Sequence, residues 1–207
     1  MKLAIVTAYP PSKVALNEYA YHLVKSFRLK EEITELILLT DETKGAKDIQ
    51  FEQDGCKITI KECWKFNSYS NTRGVVKAIN QTKPDAILFN LQFMKFGDKK
   101  VVAALGLSLP LICKMKGIPT IVLLHNILEQ VDLESAGFTS NKLAQNIYNF
   151  IGTSLTKLIL KADLVAVTMD KYVTTLVDKY KVDNVKMIPH GTFEIPENPS
   201  QSLPEGP

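Results

Sequence analysis

Cysteine is scarce: Cys56, Cys63 and Cys113 are the only three in 207 residues. An odd number at irregular spacing offers no disulfide framework, and Cys63 and Cys113, set in apolar strings, read as small core residues. A reducing, cytoplasmic compartment is the expectation. Long apolar runs are also missing, since none approaches the roughly 18 residues that span a bilayer. Met1 leads straight into Lys2-Leu3-Ala4-Ile5-Val6, a strand, without the longer apolar region and small-residue cleavage site of a leader peptide. Charge of one sign is in short supply: the net charge is +3, and no dense Lys/Arg stripe points to nucleic acid. Several chemical motifs are absent. Without GxGxxG or GxxxxGK[ST] after the first strand, neither a dinucleotide cradle of the usual kind nor a P-loop is supported. Without HExxH or paired Cys-x-x-Cys no metal site is expected, and there is no GxSxG elbow. The three histidines, His22, His125 and His190, lie far apart in sequence.

What is present is alternation. Short apolar runs take turns with helical patterns, the mark of a doubly wound, mainly parallel α/β sheet of about seven strands with helices on both faces. Strands are expected at Leu3 to Thr7, Glu35 to Thr40, Lys57 to Ile60 or on to Trp64, Ala86 to Asn90, Pro119 to Leu124, Leu164 to Thr168 and Val185 to Ile188. The fourth is nearly all apolar, as a strand covered on both faces should be. Between them, Leu16, Tyr19, Ala20, Leu23, Val24 and Phe27 share a helix face at i, i+3, i+4, i+7 spacing. Pro84 ends a second helix, Gly117 stops another, and Asp98, Ser108, Ser140 and Asp170 are candidate caps. The long helix opened by Ser140 carries Leu143, Ile147, Ile151, Leu155 and Leu158 on one side, with Lys142, Lys157 and Lys161 flanking them. Residues 196–207 hold four prolines in twelve positions, a linker composition. The expected organisation is a domain over 1–195 and a Pro-rich linker or tail over 196–207.

In an open parallel sheet, ligands bind beyond the carboxyl ends of the strands, where strand order reverses. If strands one to three wind one way and four to seven the other, the crevice opens between strands one and four. The loops that feed it hold Ala8 to Ala15 after the first strand, Leu91, Gln92 and Phe93 after the fourth, His125 and Asn126 after the fifth, and Met169 after the sixth.

Four stretches then resemble one family. Tyr9-Pro10-Pro11 followed by Val14-Ala15-Leu16-Asn17-Glu18-Tyr19 is similar to its Pro-Pro loop and Ser-Gly-Ile-Gly-Glu-Tyr motif. Pro84-Asp85-Ala86-Ile87-Leu88 resembles its Pro-Asp lead into strand four. Gly117-Ile118-Pro119 through Leu124-His125 resembles its Gly-x-Pro-strand-His segment. Ala162-Asp163-Leu164 and the later Ile188-Pro189-His190-Gly191 resemble its Ala-Asp strand and its exit toward a second domain. Together, over about residues 2–195, they resemble the N-terminal domain of group 1 (family 4) retaining glycosyltransferases of the GT-B fold.

The resemblance implies an acceptor-binding half that turns over only when joined to a C-terminal donor-binding domain, which lies outside these residues. It implies a UDP-, GDP- or ADP-sugar donor held mainly by that second domain, no cofactor bound to this chain itself, and a sugar or lipid-linked acceptor. His125 would lie near the donor sugar and orient a hydroxyl. Ala15, Leu16, Asn17 and Glu18 would form the donor-facing loop, with Ala15 and Asn17 standing where the family has glycines. Tyr9, Pro10, Lys13, Gln92, Asn126, His190 and Gly191 would contact substrate. Asn17 and Glu18 also suit ordinary capping and charge at a helix start, and Gly191 suits a turn at positive φ. Lipid-linked acceptors would bring the domain into peripheral contact with the inner face of a membrane. Two other readings share the pattern: a non-catalytic binding module of the same fold, and half of a sugar-nucleotide epimerase. A second α/β domain carrying Glu-x7-Glu would favour the transferase.

Overall fold

The computed structural model describes residues 1–45, 47, 49–51, 53–127 and 142–191, with the side chains of 142–149 left aside. Seven strands, β1 (Lys2–Val6), β2 (Glu35–Asp41), β3 (Lys57–Trp64), β4 (Ala86–Leu91), β5 (Thr120–Leu124), β6 (Leu164–Val167) and β7 (Val185–Met187), form one sheet in the order β3-β2-β1-β4-β5-β6-β7. Every pairing is parallel. The fold class is therefore the doubly wound, Rossmann-like one expected. The order reverses between β1 and β4, which places the switch point where the crevice was expected.

Burial explains the central strands. All six residues of β4 are buried, as are Leu3 to Val6 of β1. Alternate residues feed two layers. Ala4, Val6, Ile37, Leu39, Ile87 and Phe89 face a large core completed by α2 (Asn71–Thr82), α3 (Lys100–Leu107), α4 (Leu109–Met115), α5 (Lys142–Ile159) and α6 (Asp170–Tyr180). Leu3, Ile5, Leu36, Leu38 and Leu88 face the other way, onto Ala20 and Val24 of α1 (Asn17–Phe27). Helices thus cover both faces unevenly: among the described residues, α1 alone lies on the second face.

Several local expectations shift. β3 runs through to Trp64, whose buried indole donates to the Leu39 carbonyl at 3.2 Å. Of the three caps that fall on described residues, none forms. Lys99, Ser108 and Met169 occupy the cap positions of α3, α4 and α6 without a side-chain cap bond, and the Ser108 hydroxyl instead donates back to the Leu105 carbonyl. Asp170 is the first residue of α6, where its charge complements the helix dipole. Gly117 ends its helix at φ 74°, and Lys83 ends α2 at φ 49° ahead of Pro84. Cys113 is buried but Cys63 only partly so; burial pushes both thiols up to about 12, so neither is a ready nucleophile. The Ser140 cap, the Leu143 and Ile147 side chains, the Lys142 side chain and the 196–207 tail lie outside the described residues. None of the described helices is long and apolar enough to cross a membrane.

Candidate functional site

The carboxyl ends of β1, β4 and β5 bring polar groups together at the switch point. Asn90 is the one polar residue in the apolar run of β4 and is fully buried. Its amide nitrogen donates to the Thr7 hydroxyl at 2.9 Å and lies 3.5 Å from the Leu16 carbonyl. That orientation leaves Asn90 Oδ1 to His125 Nε2, 2.6 Å away. An amide oxygen only accepts, so Nε2 must carry the proton, and the lone pair of a neutral His125 sits on Nδ1.

His125 follows β5 directly, its own N–H bonded to the Leu91 carbonyl at 3.0 Å. Burial, then the neighbouring His190 and Lys95, bring its imidazole down to about 4. It is neutral at physiological pH and a weak base. Its ring meets Tyr19 edge-on, centroids 4.6 Å apart, and stacks on His190 at 5.4 Å. Tyr19 also meets His190 edge-on at 5.4 Å. Burial holds the Tyr19 phenol above its ordinary value. The chain beyond β7 stays on the sheet through the Ile188 N–H to the Val167 carbonyl at 2.8 Å, which carries the exposed His190 to this corner.

The loop after β1 is pinned from both sides. On the β2 side, the Ser12 hydroxyl donates to Asp41, and Lys47 lies 3.8 Å from the other Asp41 oxygen and 3.4 Å from the Tyr9 carbonyl. On the β4 side, the Lys95 ammonium donates to the Ala15 carbonyl at 2.8 Å. Within the loop, the Asn17 side-chain nitrogen donates to the Ser12 carbonyl. Leu16, at φ 68°, stands in the left-handed region at the start of α1. A leucine there costs about 1–2 kcal/mol against ordinary backbone, so the surrounding bonds must hold it.

The sequence-expected site residues fall into three groups. His125, His190 and the 15–18 loop converge on one corner. Asn126 is exposed and accepts the Phe93 N–H at 3.3 Å, Gln92 is half-buried beside it in sequence, and Lys13 is exposed. Pro10 is half-buried, and Glu18 lies in the exposed first turn of α1, its N–H bonded to Asn17 Oδ1 at 2.7 Å. Tyr9, expected to contact substrate, is instead 0% exposed in the layer under α1, 6.3 Å from the Tyr21 ring. The residue just past the strand end turned into the core, a choice that strand periodicity does not reach. Gly191 is exposed, lies outside the left-handed region, and a Cβ there would meet nothing; no turn requires glycine at that point. Three participants went unread: Asn90, Lys95 and Tyr19. A lone amide in an otherwise apolar strand, and a lysine inside Phe93-Met94-Lys95-Phe96, were the available signals.

No group of three or more metal-binding side chains occurs among the described residues. No protein-family model and no curated protein matches the chain. Among solved structures it is similar to Phytolacca americana UGT2, which was determined in complex with UDP-2fluoro-glucose and pterostilbene. The TM-score is 0.50 at 13% identity, covering 92% of this chain and 52% of that one. The likeness is one of fold, and the chain spans about half the length of that neighbour.

Proposed function

We propose that this chain is the N-terminal, acceptor-side half of a nucleotide-sugar-dependent glycosyltransferase that acts with retention, as the family 4 resemblance implies. One observation carries the reading. The neutral His125, fixed by Asn90 and walled by Tyr19 and His190, stands at the switch point of a sheet similar to that of a protein solved with UDP-2fluoro-glucose and pterostilbene. His125 presents Nδ1 as an acceptor, so it orients a hydroxyl and is too weak a base to take its proton outright. The donor is a UDP-, GDP- or ADP-sugar gripped by the second domain, and this chain supplies the facing wall. Catalysis rests on positioning and on stabilising the leaving diphosphate. The acceptor is a sugar or a lipid-linked sugar, and the lipid-linked case would bring the domain to the cytoplasmic face of a membrane.

The test joins the chain to its donor-binding half and follows nucleoside diphosphate release from UDP-, GDP- and ADP-glucose. Release from one of them is expected, with the product anomer retained by NMR. The 207-residue chain alone should be slower by roughly a thousandfold, because one wall cannot hold the donor in attack geometry. His125→Ala in the joined protein should lower turnover about 100-fold. Absence of release from all three donors would overturn the reading in favour of a binding module.

A further inference from the structure

Lys95 is 1% exposed, among the largest fully buried side chains of the chain. An ammonium is rarely so deep unless it is held for a purpose. The turn that carries it is rigid. Its N–H bonds to the Gln92 carbonyl at 3.1 Å, its neighbours Phe93 and Phe96 are buried in the main core, and the Phe96 carbonyl takes the Asn67 N–H at 2.8 Å. The direction of the side chain is therefore imposed by the core, and it points across to a loop 80 residues away in sequence. There it meets the Ala15 carbonyl, one residue before the strained Leu16 and two before Asn17. The placement opposes simple electrostatics, since a cation sits by the positive end of α1. Burial brings the Lys95 amine down to about 7, and Asp41 is the nearby charge that opposes this by favouring the ammonium; when protonated, Lys95 is a repelling charge for His125 on the cleft side.

We propose that Lys95 is a positioning residue, whose buried side-chain nitrogen donates to the Ala15 carbonyl and so holds the turn through Leu16 that presents Asn17 and the start of α1 to the cleft. Where a glycine-bearing loop would adopt this path unaided, here a side chain from beyond β4 enforces it. The inference rests on the proposed transferase reading only for what the cleft receives; the loop-holding role is independent of it. Lys95 does not reach a substrate itself, being sealed from solvent.

The experiment uses the 207-residue chain with two variants. Lys95→Met removes donor and charge while keeping the reach, and Lys95→Gln keeps a donor without the charge. Residue-resolved amide exchange and the His125 imidazole titration are read by NMR. The groups facing His125 in that titration are Lys95, His190, Tyr19 and Asn90. In Lys95→Met, exchange at Leu16 to Tyr19 should rise at least tenfold while Leu88 and Phe89 in β4 stay within twofold. Lys95→Gln should recover at least half of that protection, and in both variants His125 should titrate higher because a nearby cation has gone. Uniform acceleration through α1 and β4 would overturn the proposal, since Lys95 would then merely fill the core. Unchanged loop exchange, or an unmoved His125, would overturn it too. If Lys95→Met fails to fold, Lys95→Gln decides by the same pattern. A joined protein that releases no nucleoside diphosphate while the loop responds as described would sink the transferase reading and leave the role of Lys95 standing.

Discussion

The two edges of the sheet use polar groups in opposite ways. At the amino edge two exposed carboxylates act locally. Asp85 accepts the Lys2 N–H at 2.6 Å, and Asp163 accepts the Thr120 N–H at 2.8 Å while Lys114 sits 3.0 Å from it. Each carboxylate ties one strand start to its neighbour and stays in water. At the carboxyl edge Asn90, Asp41 and Lys95 are buried, and with His125 they link β1, β2, β4 and β5. An exposed ion pair is worth little because water already solvates both partners. A buried amide or ammonium must satisfy its bonds inside or pay heavily in desolvation. The buried charged and amide groups of the carboxyl edge are what make it the candidate site.

The sharpest way to break this contrast is to change one polar side chain at each edge. Asn90→Leu keeps the volume, removes the bond the Thr7 hydroxyl accepts and leaves His125 Nε2 without its acceptor, so it should cost about 2–3 kcal/mol of stability. Asp163→Asn, exposed on its loop, should cost less than about 1 kcal/mol. Urea unfolding of the two variants beside the parent chain measures both. Equal losses would mean that the carboxyl edge holds no special cluster.

Acid separates the edges next. The folded pKa of His125, about 4, lies below the ordinary 6.5 of the unfolded chain. The unfolded state therefore binds the proton first. Stability from this group is whole above 6.5 and drains away as pH falls toward 4. The loss should be on the order of 1–2 kcal/mol, after allowing for solvent screening of a partly exposed ring. Glu35 and Asp163, at the amino edge, are also held below their ordinary values. Glu35 is lowered chiefly by the Thr59 hydroxyl, and Asp163 by the Thr120 N–H. Their contributions are present above those ordinary values, 4.5 and 3.8, and vanish only as pH falls below them. Melting temperature against pH should therefore decline in two stages. His125→Gln should flatten the upper stage alone and Asp163→Asn the lower alone. A single decline untouched by His125→Gln would show that the ring titrates as it does in water.

The same contrast explains what could be read in advance. The apolar runs of β1, β2 and β4 have no soluble alternative to a covered parallel sheet, so strand number, order and switch point were legible. Gly117 and Pro84 announced the amino-edge turns, because those helix ends are set by local backbone preference. The carboxyl edge was read in outline only. His125 was placed by its position after a strand, but its partners Asn90, Lys95 and Tyr19 come from three separate elements, and only tertiary packing brings them together. Tyr9 shows the limit from the other side: an aromatic just beyond a strand can turn either way, and here burial under α1 won. The caps offered by Asp98, Ser108 and Asp170 failed for a local reason too, as each helix began one residue off the expected frame or with its polar side chain bonded elsewhere.

The smallest expected effect concerns backbone at the two edges. Gly117 and Leu16 both occupy left-handed conformations, at φ 74° and 68°. At Gly117 a Cβ would meet nothing within 4 Å, so Gly117→Ala should cost only the conformational penalty, about 1 kcal/mol. Leu16→Gly runs the other way. It releases about 1–2 kcal/mol of left-handed strain. It also gives back roughly 0.4–1 kcal/mol by freeing the unfolded chain. Losing the contacts of a half-buried leucine removes a further part, on the order of 1 kcal/mol. The net should lie within about 0.5 kcal/mol of zero, because these terms nearly cancel. What should change is dependence on Lys95: with glycine in place, Lys95→Met should disturb the 16–19 amides less than it does beside leucine. A double-mutant cycle read by amide exchange measures that coupling. Strict additivity of the two substitutions would mean that the turn at the carboxyl edge is held by local bonds, as at the amino edge, and the contrast between the edges would fail at that point.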